Sequence, residues 1–189
     1  MVQVRAEHPT NHDGSVNIDA WMSRIQSKVP LPSPALLKDA CLWAAELEQA
    51  AIAAEHIWAE GTSSYRTGLE MAEILADLKL DQDSLVAAVI YRAVREGKTT
   101  LVAVDKRLGS AVAELVDGVQ RMAAISVSQN PAKATVFNPQ SQVETLRKML
   151  VTMIDDVRVA LIKLAERTCA IRAVKDAPEA KRYRVAREV

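Results

Sequence analysis

Apolar residues along this chain recur at three- and four-residue intervals, the spacing that lines one face of an α-helix, and convincing strand-like alternation is missing. Residues 1–16 lack even that rhythm. His8, Pro9, Asn11 and an Asp13-Gly14 turn signal predict a loose polar lead-in. A short amphipathic stretch around Ile18 to Ile25 follows, with Trp21 as its anchor. Val29-Pro30-Leu31-Pro32 then blocks helix. Ser33 supplies an N-cap, and Pro34 takes the first helical position, where its missing N–H costs nothing. Leu36, Leu37, Ala40, Cys41, Trp43, Ala44, Leu47, Ala51 and Ala54 share one predicted buried face. Gly61 and Thr62-Ser63 mark a stop and a new start, and Leu69, Ala72, Leu75 and Leu78 line the next helix. Asp81 to Ser84 caps a third. Its run from Leu85 to Ile90 is apolar nearly all round, which predicts a helix at the centre of the domain.

Gly97 ends that helix, and Thr99 or Thr100 caps a short one reaching Leu108-Gly109. From Ser110, Val112, Leu115, Val116, Val119 and Met122 share a face. Residues 126–140 lose the periodicity and read as a loop. Ser141 and Glu144 form a capping box opening a helix with Val143, Leu146, Leu150 and Met153. Asp155-Asp156 starts or straddles the last long helix, where Val157, Ala160, Leu161, Leu164, Ala165 and Ile171 are expected on one apolar side. Pro178 interrupts it. The basic ending, Lys181 to Arg184 through Arg187, has no stop signal, as though the chain were cut mid-architecture. The pattern predicts an all-α bundle of roughly eight helices. The expected divisions are a lead-in over 1–32 with one short helix, a helical domain over 33–180, and the start of a connection over 181–189.

Composition narrows the function. The 189 residues carry 24 basic and 24 acidic side chains, so a polyanion-binding surface over the whole molecule is not expected. Aromatic residues make up 4%, with Ala, Val and Leu in excess, which favours helix over sandwich or barrel. Cys41 and Cys169 lie far apart within apolar segments and read as buried reduced thiols. No apolar run approaches the roughly 20 residues that span a bilayer, and the polar start is no signal peptide. A cytoplasmic protein with no membrane partner is expected.

Candidate chemistry is sparse. Of three histidines, His8 and His12 lie in the lead-in, and His56 falls near a predicted helix end, where an imidazolium suits the dipole. The His12-Asp13 pair sits before a glycine in a turn, with no apolar helix around it to build a metal site. No phosphate-binding glycine loop, metal-ligand cluster or nucleophile–base pair is visible, and no cofactor is expected.

Two blocks carry a family resemblance. Glu73 to Asp81, Leu85 to Ile90, Leu108 and Ala113 to Val119 resemble the metal-dependent hydrolase domain that opens the long RelA/SpoT-type enzymes. More specifically, Gln142 to Leu150, Asp156 to Arg167, Ile171-Arg172 and Val174 to Glu179 look like the closing helices of that domain in the RelA branch. The resemblance covers roughly residues 35–189, and the start MVQVRAEHP is also similar. It implies an HD-type helical bundle. In active members a histidine, a His-Asp pair and a later aspartate hold a manganese ion, and a Glu-Asp pair positions the attacking water. The resemblance sets the first histidine against Thr67, the His-Asp pair against Tyr91-Arg92, the Glu-Asp pair against Arg95-Glu96, the later aspartate against Glu166, and a late asparagine against Ala170. A divalent cation needs lone pairs, whereas arginine offers only donors and a fixed positive charge. Exchanging two acids for Arg92 and Arg95 moves the local charge by about four units toward positive.

The implied reading is therefore a catalytically silent, degenerate HD domain of a RelA-like GTP pyrophosphokinase. The synthetase would lie downstream of Val189, and the domain would regulate it, packing through Arg182, Arg184 and Arg187. Ribosomes carrying uncharged tRNA would be partners of the parent protein in the stringent response. At the degenerate positions two arrangements are open. The arginines pair with Glu96 and Glu166 and plug the pocket, or Arg92, Arg95 and Lys98 contact an anionic effector such as a guanine nucleotide. A residual 3′-pyrophosphohydrolase built on Glu96, Glu166 and Asp117 is one alternative. A helical interaction module docking through 126–140 is another.

Overall fold

The computed structural model describes residues 7–55, 63–128 and 156–188, which are helices and their connections, with one isolated bridge between Thr10 and Val16. The helices are α1 (Ile18–Gln26), α2 (Pro34–Ala53), α3 (Ser64–Asp77), α4 (Gln82–Arg95), α5 (Leu101–Leu108), α6 (Ser110–Ser128), α7 (Val157–Ala173) and α8 (Glu179–Glu188). The all-α expectation holds. His56, Gly61-Thr62, residues 129–155 with the Ser141–Glu144 box and its helix, and Val189 lie outside the described residues.

Helix starts follow their caps. Asn17, Ser63, Asp81, Thr100 and Asp156 each accept a backbone N–H of the first turn through a side-chain oxygen. Ser33 departs from this. It stands at the N-cap of α2 ahead of Pro34, but its side chain makes no capping bond, and its own N–H donates to Gln82 Oε1 at 2.8 Å.

Helix α4 is the axis of the bundle, packed against α2, α3, α5, α6 and α7. Every residue from Leu85 to Tyr91 is buried, as an apolar-all-round helix requires. Helix α3 approaches it closely at Gly68, where a Cβ would stand 2.5 Å from the Val89 carbonyl oxygen. Val112, Leu115, Val116 and Val119 of α6 complete the core with Ile162 and Ala165 of α7. Both cysteines are buried.

Three expectations need correction. The lead-in is not loose over its described part. His8 is buried, Asn17 N–H donates to the Pro9 carbonyl at 2.8 Å, and Asn11 N–H donates to the Ser15 carbonyl at 2.8 Å. Leu78 is exposed, because it ends α3 ahead of Lys79, which closes the helix with a positive φ of 63°. Helix α7 is also turned from its expected phase. Val157, Leu164 and Ile171 are exposed, and the buried face carries Val159, Ala160, Ile162, Lys163, Ala165, Glu166 and Cys169. Two charged side chains thus take core positions, and the reason lies in the site they build. In addition α6 continues to Ser128, so its helix covers the first positions of the segment read as a loop from 126.

Candidate functional site

Of the positions singled out by resemblance, Tyr91, Arg92, Arg95, Glu96 and Glu166 come together where α4 and α7 meet. Tyr91, Arg92 and Arg95 lie on the last turns of α4, Glu96 caps its end, and Glu166 faces them from the buried side of α7. Thr67 lies half-buried on α3, its hydroxyl spent on the Ser63 carbonyl at 2.8 Å. Ala170 is one turn beyond Glu166 on α7 and offers no polar side-chain group.

Lys98 reaches the same place through the shape of the α4 terminus. Gly97 takes a φ of 72°, and the N–H groups of Gly97 and Lys98 donate back to the carbonyls of Val94 and Ala93. This αL closure needs a residue free of Cβ strain at Gly97 and turns the chain sharply after the helix. Lys98 Nζ thereby lies 2.9 Å from Glu96 Oε2 and 2.5 Å from Ser64 Oγ. Ser64 in turn bonds to Glu48 of α2 at 3.2 Å.

A continuous set of ion pairs results. Arg92 donates to Glu96 Oε1 through Nε at 3.1 Å and Nη2 at 2.7 Å, and its Nη1 lies 3.9 Å from Glu166. Arg95 pairs with Glu166 Oε1, and Lys163 Nζ sits 2.5 Å from Glu166 Oε2. Glu96 and Glu166 are 4% and 3% exposed in their side chains and Lys163 is 6%, whereas Arg95 keeps 39% and marks the open side. Burial pushes the Glu166 carboxyl upward, but Lys163, Arg95 and Arg92 outweigh it and hold the group below its ordinary value. Burial likewise opposes the charge of Lys163, and here it prevails, lowering the ammonium's proton affinity despite Glu166.

Tyr91 is wholly buried, and among the described residues its hydroxyl has no hydrogen-bond partner. Burial first, and Glu166 second, push its pKa up to about 12, against the opposing charge of Arg95, Arg92 and Arg167.

A divalent cation does not fit this donor set. Among the described residues no three His, Cys, Asp or Glu side chains stand close enough to hold a metal. Both buried carboxylates are already bound to cations, and guanidinium groups present only N–H donors toward the centre. Asp117, the third carboxylate considered for a residual hydrolase, pairs on the surface with Arg121 of its own helix at 3.0 Å, and no described ion pair joins it to Glu96 or Glu166. His12 is exposed in its turn. His8 stands elsewhere, between Glu73 Oε1 at 3.2 Å and the Arg66 carbonyl at 3.1 Å.

Sequence reasoning missed Lys163, Ser64 and Glu48 in this network. An i,i+3 Lys163–Glu166 pair inside an otherwise apolar repeat was the available signal.

An HD-domain family model matches residues 40–189, and the chain belongs to that family. Within it, the similarity fits an HD domain of the RelA/SpoT type. The chain is 40% identical over 121 residues to the GTP pyrophosphokinases of Photobacterium angustum and Escherichia coli K12, covering 64% of this chain and 16% of each relative. It is 36% identical over 118 residues to the bifunctional (p)ppGpp synthase/hydrolase SpoT of Escherichia coli K12, covering 62% of this chain and 16% of the relative. The chain thus spans about a sixth of the length of these relatives. No helix among the described residues is long and apolar enough to cross a membrane.

Proposed function

We propose that this chain is the hydrolytically silent HD domain of a RelA-like GTP pyrophosphokinase and acts as a regulator of the synthetase in its parent protein. The observation that carries this reading is the chemistry of the degenerate positions. Tyr91, Arg92 and Arg95 stand where the resemblance sets metal ligands and a water-positioning acid, and the two arginines are tied to Glu96 and Glu166. Such a pocket can neither collect a cation nor polarise a water on one. The side chains it would need for activating water are spent holding α4 against α7.

What remains useful is a rigid scaffold whose last helices lead away from it. Helix α8 follows α7 after Pro178 and exposes Arg182 and Tyr183. A basic helix placed there suits contact with an acidic face of the synthetase, so the orientation of α7 becomes a signal that the synthetase can read. The parent enzyme would transfer pyrophosphate from ATP to the 3′ position of GTP or GDP in the cytoplasm, on ribosomes carrying uncharged tRNA, during the stringent response. A residual 3′-pyrophosphohydrolase is the poorer reading, since Asp117 is engaged with Arg121 and two cation-bound carboxylates make no metal cage.

The test uses the parent protein. Removing residues 1–180 is expected to change the basal rate of pyrophosphate transfer, with or without ribosomes. An unchanged rate in both conditions would contradict a regulatory role.

A further inference from the structure

Residues 7–17 form a strap docked against α3, and its buried polar side chain is His8, whose ring is 4% exposed. The two ring nitrogens meet two acceptors. Nδ1 lies 3.2 Å from Glu73 Oε1, and Nε2 lies 3.1 Å from the Arg66 carbonyl, both on α3. A neutral imidazole carries one N–H, so it satisfies one of these oxygens and turns a lone pair toward the other. The imidazolium carries two N–H groups and satisfies both. Glu73 is a poor home for the proton, because Arg24 Nη1 of α1 donates to the same Oε1 at 3.3 Å and holds it as an acceptor. The charged neighbours of the ring are Glu73 and Arg66 of α3, Arg24 of α1 and, next in sequence, Glu7. Arg24 is spent on Glu73 and the Glu7 carbonyl, and the Arg66 guanidinium donates to the Gly14 carbonyl at 2.7 Å. Glu73 thus supplies the charge that the buried ring meets.

We propose that the strap is a proton-operated latch: residues 7–17 dock on α3 with His8 as the imidazolium, and loss of that proton releases them. The docked neutral ring would bury a lone pair against an oxygen and give up a charge-assisted hydrogen bond. Docking therefore takes up a proton. It is tightest on the acid side and weakens as the pH rises above the ordinary histidine value of about 6.5. Release would uncover Glu73 and the face of α3 beneath the strap. One turn earlier on the same helix, Glu70 receives Arg172 of α7 at 3.3 Å, so the helix gripped by the latch also holds the helix that carries Glu166. The latch lies apart from the α4–α7 junction and holds whether or not that junction binds a metal.

The experiment is amide hydrogen exchange of the chain on either side of the histidine range, at about pH 5.5 and about pH 8, with rates corrected for base catalysis. The reporters are the N–H groups of Asn11 and Asn17, which donate to the Ser15 and Pro9 carbonyls within the strap, and the amides of α4 serve as the internal reference. Protection of the two reporters is expected to fall about tenfold from the acid to the alkaline side, as the loss of one charge-assisted bond implies, while α4 stays protected. His8→Gln retains the exposed His12 and is expected to show the weaker protection at both pH values. Glu73→Gln sets an amide opposite Nδ1 that can donate to a neutral ring, so the strap docks without the proton and the fall disappears. Constant protection in the native chain, or an undiminished fall in His8→Gln, overturns the latch. Nitrogen-15 spectra of the native chain labelled at histidine give a readout that needs no variant. Both ring nitrogens of His8 are expected to carry protons while the strap is docked, and a singly protonated ring in the docked strap overturns the proposal.

Discussion

Replacing Glu166 by Gln is the sharpest perturbation of the network, because it removes one charge and almost no volume. Three cations contact that carboxylate, and they are not equally stranded by its loss. Arg92 keeps two hydrogen bonds to Glu96, and Arg95 has enough exposure to turn to water. Lys163 has neither recourse: it is 6% exposed and its described ion pair is with Glu166. Breaking a buried pair by removing one partner costs about 3–5 kcal/mol, and with one cation left fully stranded the lower end, about 3 kcal/mol, is expected. For a chain of this size that lowers the melting temperature by about 10 °C. Urea unfolding followed by circular dichroism measures the loss. Lys163→Met with Glu166→Leu removes both charges, and stability is expected to return to within about 1 kcal/mol of the native value. A loss under about 1 kcal/mol in Glu166→Gln, or a double variant no better than the single one, would refute the account of the network.

The pH dependence of the same group has a definite sign. The folded carboxyl of Glu166 is held below its unfolded value, so its contribution is present above the ordinary glutamate range and is lost as the pH falls through the lower, folded value. Stability curves of the native chain and Glu166→Gln should converge on the acid side, and parallel curves would contradict this. Asp81 behaves alike. Burial raises its pKa, Ser84 and Arg158 together lower it, and Asp81→Ala is expected to cost about 1–2 kcal/mol by removing the α4 cap and a contact at 2.6 Å to Arg158, as read by urea unfolding. Gly68→Ala forces a Cβ to within 2.5 Å of the Val89 carbonyl oxygen and should lose about 3 kcal/mol, with thermal unfolding as the check. Ser33→Ala, by contrast, should cost less than about 0.5 kcal/mol, because the side chain makes no capping bond despite its N-cap position; calorimetry showing a full cap penalty would contradict that.

Most of the bundle was legible because its caps and its apolar period agree. Asp81, Thr100 and Asp156 open helices where their side chains and the following pattern say they should, and the run from Leu85 to Ile90 is the buried axis that an all-round apolar helix implies. The phase of α7 was not legible from hydrophobicity. Its apolar residues outnumber what one face can hold, and the face that wins is the one carrying Lys163 and Glu166, because Glu166 finds arginine partners on α4 and Lys163 pairs with Glu166. The docking of the lead-in was hidden for a related reason. A polar segment reads as loose until its acceptors are known, and those of His8, namely Glu73 and the Arg66 carbonyl, lie more than fifty residues away in sequence. At the junction itself, the residue types were visible in the sequence. Their pairing and the isolation of the Tyr91 hydroxyl required three helices to be placed together.

Whether this junction has ceased to be a metal site is measured most directly by titrating manganese into the chain and following the free ion by electron paramagnetic resonance, with guanosine tetraphosphate present and pyrophosphate release recorded in the same sample. The ion-paired arrangement of Arg92, Arg95, Glu96 and Glu166 predicts that the free-ion signal rises in step with added metal and that no pyrophosphate appears. Stoichiometric loss of that signal accompanied by release of pyrophosphate would contradict it.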